Sequence, residues 1–181
     1  MRPFASTILT LTLITGATAQ DLKTNIIGTD LGALAMGGFA AEYKKLIKDG
    51  KNEIGVGVGM FPMSDDATWT GGWAWYRIYK NGNGEGLFYT VGCGAGPVSW
   101  DYTPDGGTKE TIKETLIWPQ ATIGKRWNSW NSGLTVSPFI GVGYMLGEVK
   151  ASDGTYLELP DGSEAKGGLG PSFGIEVGFM F

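Results

Sequence analysis

Phe173-Gly174-Ile175-Glu176-Val177-Gly178-Phe179-Met180-Phe181 alternates without a break: Phe173, Ile175, Val177, Phe179 and Phe181 share one face, and Gly174, Glu176, Gly178 and Met180 share the other. Side chains of an extended strand point to its two faces in turn, so one face is wholly apolar and the other holds a lone carboxylate. The same period of two recurs upstream in GVGVG (Gly55 to Gly59), VGCGAG (Val91 to Gly96) and IGVGYMLG (Ile140 to Gly147). Of the 31 glycines in the 181 residues, those inside these apolar runs therefore belong to strands, where they occupy one face opposite Val, Ile, Cys or Ala.

Eight segments carry this alternation between clusters of turn residues. They run from Thr24 to Leu34, Phe39 to Lys48, Glu53 to Met63, Thr70 to Lys80, Leu87 to Tyr102, Leu116 to Asn128, Leu134 to Val149 and Pro171 to Phe181. Three connections are tight and rich in Asn and Gly: Lys48 to Asn52, Asn81 to Gly86 and Asn128 to Gly133. On the opposite side Ser64 to Trp69, Thr103 to Thr115 and Lys150 to Gly170 are longer, and only Ala35 to Gly38 is short. Alternating short turns and long loops predict an all-β fold, an eight-stranded antiparallel up-and-down transmembrane β-barrel over residues 20–181, with the tight turns in the periplasm.

The amino terminus agrees with export. Arg2 precedes an apolar stretch from Ile8 to Ile14, and Ala17-Thr18-Ala19 precedes Gln20, the pattern of a cleaved signal peptide over residues 1–19. That stretch is too short for a membrane helix, which needs about 20 apolar residues. Losing Arg2 takes the net charge from -4 to -5. An acidic chain without a basic run argues against nucleic acid as a partner.

Chemistry is limited by what is missing. There is no histidine, which removes the commonest general base and metal ligand, and the single cysteine, Cys93, excludes an internal disulfide and an ordinary zinc site. Neither an enzymatic activity nor a cofactor or metal is expected. Strand glycines with no helix after them do not form a phosphate loop.

Phase assigns the strand charges. With Phe173 to Phe181 presenting their apolar face to lipid, Glu176 faces the lumen, and alternation sends Glu42, Lys44, Arg77 and Arg126 the same way, with Asp30 a weaker candidate. Such charges either pair into a network that holds the barrel shut or line a narrow polar path through it. Inward glycines are expected to relieve crowding and leave the lumen less filled. Trp73, Trp100 and Trp118 fall toward the long-loop ends of their strands, Tyr79 and Trp127 toward the tight-turn ends, and they are expected to form two interfacial girdles. The acidic loops, with Asp105, Glu110, Glu114, Asp153, Glu158, Asp161 and Glu164, are expected to be solvated surface.

FGIEVGFMF resembles the terminal strand of bacterial outer-membrane β-barrels, which implies that Phe173, Ile175, Val177, Phe179 and Phe181 form a membrane assembly signal read by the assembly machinery. Together with the signal peptide, the eight spans and the alternating connections, the chain resembles the small eight-stranded barrels typified by the OmpA transmembrane domain, OmpX and OmpW. YKKLIKDGKNEIGVGVG, around the first tight turn, resembles the opening hairpin of porin-like barrels. The resemblance implies a place in the outer membrane among its lipids and lipopolysaccharide and a structural or surface-interaction role. The alternative is a narrow, OmpW-like channel for small or hydrophobic solutes.

Overall fold

The computed structural model describes residues 23–104, 107–159 and 162–181. The signal segment Met1 to Ala19, and Asp105 and Asp161 of the acidic loops, lie outside the described residues. Eight strands, β1 (Asn25–Asp30), β2 (Phe39–Ile47), β3 (Asn52–Ser64), β4 (Ala67–Tyr79), β5 (Gly86–Tyr102), β6 (Glu110–Asn128), β7 (Leu134–Glu148) and β8 (Lys166–Met180), each pair antiparallel with the next. The β1–β8 ladder, from Ile26↔Met180 to Asp30↔Glu176, closes the ring.

The facing of the side chains is inverted relative to a protein with an apolar interior and a wet surface. Val56, Val58, Val91, Ile140, Val142, Leu169 and Phe173 stand exposed on the outside, Ile140 at 63% and Phe173 at 74%. Arg77, Arg126, Lys44 and Glu53 are buried in the lumen at 1% or less. The period of two is responsible: each in-phase set has only two faces to occupy, and the closed sheet turns the glycine-and-charge face inward.

Tight turns join the strands at one end. Lys48, Asp49 and Gly50 all have positive φ, and a Cβ on Gly50 would stand 2.5 Å from Asn83 Cα, so only glycine lets the first two turns meet there. Their contact is sealed by the Gly84 N–H donating to the Gly50 carbonyl at 2.7 Å.

Three segments differ from expectation. β1 ends at Asp30 rather than running to Leu34, because the Asp30 carboxylate caps a five-residue helix, α1 (Leu31–Ala35), accepting from the Gly32 and Ala33 amides at 2.6 and 3.4 Å. β6 begins at Glu110 and β8 at Lys166, each several residues before the predicted start. Beyond an apolar zone a strand is held by backbone pairing alone, so the polar run Glu110 to Thr115 pairs with β5 as far as Tyr102↔Glu110. The loop after β7 keeps its acidic side chains Asp153, Glu158 and Glu164 exposed, as expected, while its apolar residues fold back onto the barrel. Two bridges, Lys150↔Tyr156 and Glu158↔Glu164, shape it, and Val149, Ala151, Leu157 and Ala165 bury against Ala67, Val98, Trp100, Leu116 and Met145. This cluster caps the long-loop end of the barrel.

Candidate functional site: a charged floor under an aromatic cavity

The inner wall is built from glycines and rings in register. Gly55 pairs across the ladder with Trp75 and Gly57 with Trp73, and a Cβ on either glycine would run into the indole opposite. Gly124 takes the Phe88 ring in the same way, and Gly143 takes Trp118. These glycines let large rings lie flat on the wall, and at Gly94, where an added Cβ would meet nothing closer than 3.6 Å, the lumen is left open.

Below those rings the charges meet across the lumen. Glu53 is at the centre, fully buried, accepting from Arg77 Nη1 at 3.1 Å, Arg126 Nη2 at 3.2 Å and the Tyr79 hydroxyl at 3.0 Å, and paired also with Arg126 Nη1. Glu176 joins Arg77 Nη2 at 2.7 Å and Lys44 Nζ at 2.5 Å. The remaining guanidinium nitrogens reach polar side chains: Arg77 Nε donates to Thr90 Oγ1 at 3.0 Å and Arg126 Nε to Ser137 Oγ at 2.8 Å. The Arg77 guanidinium also stacks on Phe88, 3.9 Å from the ring centroid. Residues of seven strands, β2 to β8, take part, so the cluster bridges opposite walls and forms a floor. Beside it Ile26, Leu46, Tyr79, Phe88 and Met180 pack as an apolar layer.

Above the floor lies a cavity of about 400 Å³ whose lining is mostly apolar, with Phe61, Trp73, Trp75, Leu116, Trp118 and Phe139 around it. Asp30, Glu42, Glu176 and Arg77 supply its charged base. Glu42 accepts from Trp73 Nε1 at 3.3 Å through Oε1; its Oε2 lies 2.8 Å from Lys44 Nζ but makes no aligned hydrogen bond. In the loop after β7, Asp153 accepts from the Thr155 amide at 2.9 Å and the Tyr102 hydroxyl at 2.8 Å, contacts that hold its carboxyl below the usual range.

The structure brings Glu42, Lys44, Arg77, Arg126 and Glu176 into one cluster, and places Phe173, Ile175, Val177, Phe179 and Phe181 on the outward face of β8 and its end. The interfacial aromatics need correction. Trp73 and Trp118 line the cavity, Trp100 is buried in the cap and Tyr79 is buried at the floor; of the five, Trp127 alone faces outward. These four share parity with Arg77 or with the inward glycines, and position along the strand, which suggested a girdle, says nothing about facing. Glu53 was missed because it reads as the end of a turn, although it is in phase with Gly55, Gly57 and Gly59. Among the described residues no group of His, Cys, Asp and Glu could hold a metal ion.

The sequence matches no protein family and no curated protein. Among solved structures it is similar to the N-terminal β-barrel domain of Pseudomonas aeruginosa OprF, with 14% identity, a TM-score of 0.48, and coverage of 87% of this chain and 96% of that one.

Proposed function

We propose that this chain is an integral, non-enzymatic β-barrel of a bacterial outer membrane with a structural or surface-interaction role carried by its capped outer half. One observation carries the reading: the closed barrel exposes its apolar side chains and buries its ion pairs. In water that exterior would be an uninterrupted apolar patch, whereas in a bilayer it is the surface the solvent requires, and closure leaves few strand edges in hydrocarbon. Outer-membrane lipids and lipopolysaccharide are its surroundings in this reading, and the outward row on β8 is the strand the assembly machinery would read.

The floor argues against a through-channel. Ion pairs joining opposite walls, with Phe88 and Tyr79 packed beside them, support a lumen closed to hydrated ions. Protein folded into a planar bilayer is expected to be electrically silent while its unboiled and boiled samples migrate differently on a gel. Discrete openings would overturn the sealed barrel. A second reading, that the barrel holds a small apolar solute without conducting ions, is favoured by the cavity above the floor.

A further inference from the structure

We propose that six lysines at the tight-turn end form a collar that binds the anionic headgroups of the phospholipid leaflet surrounding that end. The proposal rests on the membrane reading above and adds a lipid partner to it.

Charge is divided between the two ends of the barrel. Lys23 precedes β1, Lys45 lies on β2, Lys48 and Lys51 in the first tight turn, Lys80 in the second and Lys125 on β6. Among the described residues, Asp49 and Glu85 are the only acids on the surface of that end, and Glu85 accepts from Trp130 Nε1 at 3.2 Å. The floor above adds no excess of either sign, because Glu42, Glu53 and Glu176 face Lys44, Arg77 and Arg126. At the long-loop end the sign reverses: Asp65, Asp66, Asp101, Glu110, Glu114 and Glu148 join the acids of the loop after β7, against Lys109, Lys113, Lys150 and Lys166. Two of those lysines are neutralised locally, Lys109 at 2.9 Å from Asp101 and Lys166 at 2.5 Å from Glu164. None of the six at the tight-turn end has an ion pair among the described residues.

Placement selects a lipid over a soluble partner. Alternation turns Lys44 inward, where its Nζ lies 2.8 Å from Glu42 and 2.5 Å from Glu176, and turns Lys45, the next residue, outward. Lys45 stands exposed on the outer wall opposite Ile54, itself 46% exposed. Lys125 has the same setting on β6: it pairs with the exposed Leu87, and its Nζ sits 5.0 Å from the ring centroid of the outward Trp127. Lys23 carries the collar to β8, its Nζ 5.8 Å from the Phe179 centroid. A lysine at the rim of an apolar wall lays its stem along the wall and turns its ammonium to the headgroup layer. A globular partner below the turns would not reach the side of the barrel, whereas headgroups surround it. The six lysines are likewise spread from β1 to β6 rather than gathered in one patch. Unpaired ammonium groups around a membrane-level rim favour a lipid with net negative charge over a zwitterionic one.

The test is the selectivity of spin-labelled lipids for the full barrel in phosphatidylcholine liposomes: the motionally restricted fraction of labelled phosphatidylglycerol is compared with that of labelled phosphatidylcholine. The expected result is an association constant about threefold higher for phosphatidylglycerol, falling toward equality as salt is raised. Lys45→Gln combined with Lys125→Gln, on the outer wall, should remove most of that preference. Lys109→Gln combined with Lys113→Gln, at the opposite end, should leave it unchanged. Each variant is first checked for the folded gel shift. Equal restriction of the two lipids by a barrel that shows the shift would overturn the collar and leave the membrane reading intact; a chain without the shift in any liposome would overturn both. A preference that survives the Lys45 and Lys125 changes but disappears when Lys48, Lys51 and Lys80 become Gln would also overturn the collar, leaving an end surface suited to a soluble acidic partner.

Discussion

Glu53 accepts from Arg77, Arg126, Tyr79 and Trp75 while fully buried, so its loss leaves Arg77 and Arg126 to share Glu176, which lies 3.7 Å from Arg126. Breaking a buried ion pair from one side costs about 3–5 kcal/mol, whereas removing both charges for apolar groups is far milder. Glu53→Met is therefore expected to destabilise the barrel by about that amount in urea unfolding from liposomes, and adding Arg126→Met should recover part of the loss. A single-variant cost near zero would mean the floor is hydrated. The glycine wall makes a second prediction at this scale. Gly55→Ala drives a Cβ into the Trp75 ring and should cost about 1–3 kcal/mol by overpacking, while Gly94→Ala, with its nearest neighbour 3.6 Å away, should be close to neutral in the same assay. Alternation alone made the inward charges of β2, β4, β6 and β8 legible. The ring–glycine pairs were not, because pairing Gly55 with Trp75 requires the β3–β4 register, which no single strand contains.

Strands with strict alternation, β3, β7 and β8, could be read with their facing; elements whose ends depend on a capping contact or on a partner strand could not. β1 stops at Asp30 because its carboxylate takes the α1 amides, and β6 is 19 residues long because β5 continues opposite it, not because its own sequence alternates. The outward face of β7 allows the membrane reading to be tested element by element. Ile140, 63% exposed near the strand's middle, should accept Arg only at about 2–4 kcal/mol, enough to impair insertion measured by the folded gel band in liposomes. Val177 lies four residues from Phe181 and nearer the tight-turn end, so Val177→Arg should be milder, because the penalty falls toward the interface. Equal tolerance at both positions would remove the lipid-facing assignment.

At the scale of the whole molecule, two closures stand in series, a charged floor near the tight turns and an apolar cap at the long loops, with the cavity between them. They share no residues: the floor is ionic and bridges the strands, whereas the cap is a loop whose Leu157, Val149 and Ala165 pack on Trp100 and Leu116. Their failures should therefore be separable. Leu157→Asp buries an unpaired carboxylate in the cap, where release of the loop to water relieves the penalty more readily than rearrangement of the barrel. The expected outcome is faster trypsin cleavage at Lys150 and Lys166, with the folded gel shift retained. The planar bilayer should stay silent, because the floor still joins opposite walls. Conductance in that variant would identify the cap as the seal and reduce the ion cluster to an internal brace.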